Sequence, residues 1–126
     1  MPRRYILLSR VLFAAAIGTI TFLALTGGAV PIVSTLNDKL QHGTAFFGLA
    51  LLLDFSFPTR SFGAPKVSAL LAYGIVLELA QMGTQHRDPS LWDVAADAAG
   101  LVIYAASLPL LRRAPGLQRR WEEERA

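Results

Sequence analysis

Four apolar blocks, each close to the length of a membrane-spanning helix, limit this chain more than any other feature of its sequence. They run over about 5–25, 38–57, 66–82 and 91–111. A span needs about 20 predominantly apolar residues to cross the hydrocarbon layer. Hydrophobic residues make up 53% of the 126, and they gather in these blocks instead of alternating with polar ones. A soluble domain of this size would need far more polar surface. The reading is therefore all-α: a single domain over residues 1–126, built as a four-helix transmembrane bundle with a charged tail over 112–126.

The first block has a competing reading as a cleavable signal, because Arg3, Arg4 and Arg10 precede or open it and small Gly27, Gly28 and Ala29 follow. Its apolar run is long for a signal, so a retained helix is expected. Gly27, Gly28 and Pro31 interrupt any helix before the second block, where Asn37 or Asp38 reads as an N-cap. Pro58 closes that block, and the link from Gly83 to Pro89 carries turn-forming residues. The charged tail, which holds Trp121, is left open between a surface-lying and a disordered segment.

Lysine and arginine exceed the acids, 12 against 9, which raises the question of nucleic acid. These residues flank the blocks and form no stripe with interleaved aromatics, so no nucleic-acid partner is expected. They report topology instead. The N-terminus, the second link and the tail hold Arg3, Arg4, Arg10, Arg60, Lys66, Arg112, Arg113, Arg119, Arg120 and Arg125; the opposite side holds Lys39 and Arg87. By the positive-inside rule both termini are cytoplasmic. Cysteine is absent, which removes disulfides and thiolate chemistry.

Ionisable residues inside the blocks point to a site, since each costs roughly 2.5–3.5 kcal/mol on insertion scales. Gly74, Glu78 and Gln81 share one helix face at i, i+4, i+7, and Asp93, Asp97 and Gly100 repeat that rhythm. Asp38 and His42 stand one turn apart at the start of the second block. With Lys39 and Arg87, the polar members Asp38, His42, Glu78, Gln81, Asp93 and Asp97 lie within roughly 10 Å of the outer interface at 1.5 Å per residue. The cytoplasmic ends show topology charges and, besides them, Asp54.

Each residue also has an ordinary reading. Asp38 and Lys39 fit an N-cap and an interfacial anchor. His42 fits a buried polar residue, or, with Asp38 beside it, an oriented base. Glu78 lies too deep for a surface charge, and Gln81 fits a bridge between helices. Arg87 fits either a headgroup-level charge or a phosphate fork. Asp93 fits the N-terminal dipole of its helix, whereas Asp97, a turn deeper, does not. Gly74 and Gly100 fit close helix packing.

In order and spacing these residues resemble the VanZ-like family of small bacterial membrane proteins, named for a teicoplanin-resistance member. The family's Asp-Lys-x-x-His is matched by Asp38, Lys39 and His42. Its Gly-x-x-x-Glu-x-x-Gln is matched by Gly74, Glu78 and Gln81. An Arg, a Ser and Asp-x-x-x-Asn-x-x-Gly follow, where Arg87, Ser90, Asp93, Asp97 and Gly100 stand. Asp97 replaces the usual Asn and adds a carboxylate; Phe46 replaces a frequent Tyr and removes a hydroxyl. The resemblance covers about Asp38 to Gly100 and implies a role at the cell envelope, within a wider group of proposed membrane enzymes acting on phosphate-linked headgroups of lipids or polyprenols.

Three readings stay open. The first is acid–base chemistry on a phosphoester or glycosyl-phosphate: His42, Glu78, Asp93 and Asp97 are the candidate catalytic residues, and Asp38, Lys39, Gln81 and Arg87 the substrate-binding ones. The second is a divalent cation held by Asp93, Asp97 and Glu78, although no dense metal signature is present and no cofactor is assigned. The third is a non-catalytic polar network or a pocket for a lipid headgroup or glycopeptide. Expected partners are membrane lipids or lipid-linked envelope precursors; oligomeric state is not assigned.

Overall fold

The computed structural model describes residues 1–25, 35–84 and 91–125, with side chains for all of these except residues 35–38, 84, 123 and 125. The described residues form four long helices and one short one: α1 (Arg3–Leu25), α2 (Thr35–Ser56), α3 (Ala64–Thr84), α4 (Leu91–Leu111) and α5 (Arg119–Arg125). No strand occurs among the described residues. The four long helices match the four blocks to within three residues at each end. α2 begins at Thr35, so Asn37 and Asp38 lie in its first turn and do not cap it. α3 begins earlier than Lys66 because Pro65 fits the first turn, where its missing N–H leaves no bond unmade.

Side-chain contacts give the helix directions. Lys39 and His42 near the start of α2 meet Asp93 and Asp97 near the start of α4, so these two run parallel. Arg10 of α1 donates to the Ser56 carbonyl at the end of α2, and Gln81 near the end of α3 donates to the Ala24 carbonyl near the end of α1. The chain therefore runs up, down, up and down. The upper end is the one where α2 and α4 begin, and the lower end is the one where they finish.

α2 is the central helix. It packs most extensively on α4 and then on α1, and it supplies Phe46, Leu49, Ala50 and Leu53 to the core beside Leu70, Leu101 and Tyr104. Those α2 positions fall at i, i+3, i+4, i+7, a single stripe. The stripe continues upward through His42 and Lys39. The α4 stripe likewise runs from Asp93 and Asp97 to Leu101 and Tyr104. The interior is thus polar at the top, apolar in the middle and polar again at the bottom.

Outside, the order is reversed from that of a soluble protein. Leu7, Leu8, Val11 and Phe22 of α1, Val76 and Leu79 of α3, and Val102 and Ile103 of α4 all face outward. Helices α1, α3 (over Ala64–Gly83) and α4 are long and apolar enough to cross a membrane. With lipid as apolar as any side chain, close backbone approach and polar contacts hold such helices together. Gly100 meets this need: a Cβ there would run into the Gly43 carbonyl and the Phe47 amide of α2.

Candidate functional site

The upper polar cluster draws on three helices. Lys39 of α2 donates to Asp93 Oδ1 of α4 in an ion pair. His42 Nδ1 lies 2.9 Å from Asp97 Oδ1, and its Nε2 lies 4.0 Å from Asp93 Oδ1. Glu78 of α3 completes the group: one ligand-type atom each from His42, Glu78 and Asp93 lie within 4.8 Å of one another. The spacing of four residues between Asp93 and Asp97 stacks both carboxylates on one face of α4, opposite the three-residue step from Lys39 to His42.

Asp93 and Asp97 are 1% and 2% exposed, whereas the Lys39 and His42 side chains are 27% and 23% exposed. The carboxylates are therefore desolvated, and the approach from outside passes the cation and the imidazole. Burying a carboxylate costs several kcal/mol unless it is paired and hydrogen-bonded, which accounts for one basic partner opposite each Asp. Gly74 makes room for this arrangement. A Cβ at Gly74 would stand 2.7 Å from Asp97 Oδ2 and 3.1 Å from the Phe46 ring.

The geometry defines what the cluster can do. With Nδ1 donating to Asp97, the imidazole is held in one orientation and tautomer, and its Nε2 takes or gives a proton on the side of Asp93 and Glu78. Lys39 supplies positive charge at the rim. Among the residues singled out from sequence, Lys39, His42, Glu78, Asp93 and Asp97 come together here. Gln81 instead reaches α1, donating to the Ala24 carbonyl at 3.1 Å, in line with its reading as a helix bridge. Gly74 and Gly100 sit at close approaches. The Asp38 side chain, Arg87 and Ser90 lie outside the described residues. Of the cation set Asp93, Asp97 and Glu78, Asp97 serves the imidazole, and His42 takes its place beside the other two.

A second buried cluster fills the lower end, where the sequence showed topology charges and one acid. Asp54 is fully buried. Its carboxylate accepts from Lys66 at 2.7 Å, Tyr104 at 2.8 Å and Arg120 at 2.6 Å. Arg120 also donates to the backbone carbonyls of Asp54, Pro58 and Arg60, and Lys66 to those of Phe57 and Arg60. The tail is thus neither loose nor merely surface-lying: α5 inserts Arg120 and Trp121 into the lower end, with the Trp121 ring edge-on to Phe55 at 5.8 Å. The available signal was Asp54 itself, an acid in an otherwise apolar stretch that requires a cation nearby. Which of the many flanking Arg and Lys residues would supply it depended on how the tail folds back.

Compared with known protein families, curated proteins and solved structures, the chain matches none.

Proposed function

We propose that this chain is a VanZ-like multi-pass protein of the bacterial cytoplasmic membrane that acts on lipid- or polyprenol-linked phosphate headgroups at the outer leaflet. All four long helices cross the membrane in this reading, α2 included. Lys39, His42 and Asp54 lower its apolarity, but each meets a partner on a neighbouring helix. Both termini lie in the cytoplasm, and the upper cluster faces outward. The observation that carries the proposal is the convergence of His42, Glu78, Asp93 and Asp97 from three helices, with the three carboxylates buried and Lys39 and His42 partly exposed. At the lower end Asp54 and Glu124 face Lys66 and Arg120, cations that also brace backbone carbonyls; the upper end brings together three carboxylates and an oriented imidazole. Such a set suits proton transfer beside an anionic headgroup, with Lys39 countering phosphate charge and His42 or Glu78 moving the proton.

A second reading has its own support. Lys39 pairs with Asp93 and His42 with Asp97 across α2 and α4, as in a network that fixes helix register or binds a headgroup or glycopeptide without reaction. Substituting Glu78→Gln and His42→Gln separates the two. Catalysis should fall by about 10²–10⁴-fold at normal membrane abundance, the range for a missing acid–base group. The assay is turnover of the lipid whose headgroup changes between deletion and wild-type cells. Undiminished turnover by both variants would overturn the catalytic reading.

A further inference from the structure

We infer that His42 Nε2, Glu78 and Asp93 form a binding site for one divalent cation of the zinc or manganese class, with Asp97 positioning the imidazole. The inference rests on reading the upper end as a site, and not on the headgroup reaction.

Three observations carry it. The first is reach. Metal–ligand bonds of about 2.0–2.2 Å to nitrogen and carboxylate oxygen place ligands roughly 3–4 Å apart around one ion. His42 Nε2 and Asp93 Oδ1 are 4.0 Å apart, and the three-residue set lies within 4.8 Å, so a small inward shift of side chains closes the shell. The second is the imidazole's orientation. Asp97 Oδ1 at 2.9 Å from Nδ1 turns the Nε2 electron pair toward Asp93. Metal-bound histidines are held in the same way by a carboxylate on the far nitrogen. The third is charge. Among the described residues at this end, Glu78, Asp93 and Asp97 face Lys39 and His42, and Glu78 and both aspartates are buried. A divalent ion is drawn to buried carboxylates the more strongly for the apolar surroundings.

Lys39 does not compete for the ion's place. An ionised carboxylate offers about four lone-pair directions, so Asp93 can hold the ammonium on its rim side and the ion on the side of His42. The donor set is one nitrogen and two carboxylates. All-oxygen shells suit calcium and magnesium, whereas imidazole draws the site toward zinc, and carboxylates admit manganese. The partly exposed His42 gives the ion its way in.

The test uses full-length protein purified in detergent, stripped with EDTA and titrated with zinc chloride or manganese chloride. Bound metal per chain and the shift in melting temperature are read together. Wild type should bind about one ion per chain with a rise in melting temperature. Glu78→Gln and His42→Gln should lose that binding. Asp97→Asn should keep it at about 10–100-fold lower affinity, the effect of losing a partner behind a ligand. No saturable binding of either ion by wild type would overturn the inference, whatever the variants do. Binding unchanged in His42→Gln and Glu78→Gln would overturn it too, by assigning the ion elsewhere. Because binding is read without turnover, headgroup activity in a protein that binds neither ion would defeat the metal site alone. Binding by a protein without headgroup activity would defeat the reaction alone.

Discussion

Two glycines show how one atom separates structure from site. A Cβ added at Gly48 of α2 would meet no heavy atom within 4 Å, whereas one at Gly74 would stand 2.7 Å from Asp97 Oδ2. Alanine favours a helix interior over glycine by roughly 0.5–1 kcal/mol. Gly48→Ala should therefore leave the melting temperature in detergent unchanged or slightly raised. At Gly74 the same gain meets a carboxylate held by His42 and an aromatic ring held in the core. Overpacking of this kind costs about 1–3 kcal/mol, so Gly74→Ala should lower the melting temperature and disturb the His42–Asp97 pair. Asp54 poses a different problem, because Lys66 and Arg120 share its fully buried carboxylate, and the other acid near Arg120, Glu124 at 3.5 Å, is partly exposed. Asp54→Asn keeps the volume and leaves two buried cations short of a counter-charge, a loss of about 3–5 kcal/mol for a broken buried pair. A thermal melt no different from wild type would show that the lower cluster is not a stability element.

The helices contribute unequally. α1 has no buried residue and lies against the bundle through Phe13, Ala16, Ile17 and Ile20. It is tied by Arg10 to the Ser56 carbonyl, by Tyr73 to Thr21 and the Ile17 carbonyl, and by Gln81 to the Ala24 carbonyl. Each such bond contributes about 0.5–1.5 kcal/mol, so Tyr73→Phe should weaken α1 docking slightly and leave the upper cluster intact. α5 is short, yet its Arg120 joins α2 to the α2–α3 connection through Asp54, Pro58 and Arg60. A chain ending at Gln118 should still insert. It should melt at a lower temperature and become sensitive to trypsin at Arg60, where the carbonyl has lost one of its two cationic donors. Resistance at Arg60 equal to that of the full chain would mean that Lys66 alone holds the connection.

Across the whole molecule, the two polar ends flank an apolar middle, and α1, α3 and α4 are suited to a membrane. The proposed orientation sets the lower end, with its basic flanks, in the cytoplasm. A reporter fused after Ala126 should then be active in the cytoplasm, and one inserted near Gln85 should report the outside. The reverse pattern would turn the upper cluster inward and remove the outer-leaflet substrate from reach. An even-numbered set of spans also requires α2 to cross. Opposite locations for a reporter before Arg3 and one after Ala126 would show that it does not.

Apolar blocks of span length dictated the all-helical outcome and the helix positions, because burial in lipid demands that every backbone group be bonded within its own helix. Helical periodicity likewise marked which faces of α3 and α4 carry acids, since i and i+4 coincide on any α-helix. Pairing between helices was not legible. That Asp97 holds His42, that Lys39 takes Asp93 and that Gln81 crosses to α1 follow from the register of α2 against α4, and the Gly43–Gly100 approach sets that register by contact. The lower cluster was hidden for the same reason. Arg120 reads as one of many flanking cations until α5 folds back 66 residues beyond Asp54 and withdraws it from water. Local spacing reports the face on which a side chain stands. Only the packed bundle decides which charge stands opposite, because a buried charge is stable only where its partner is.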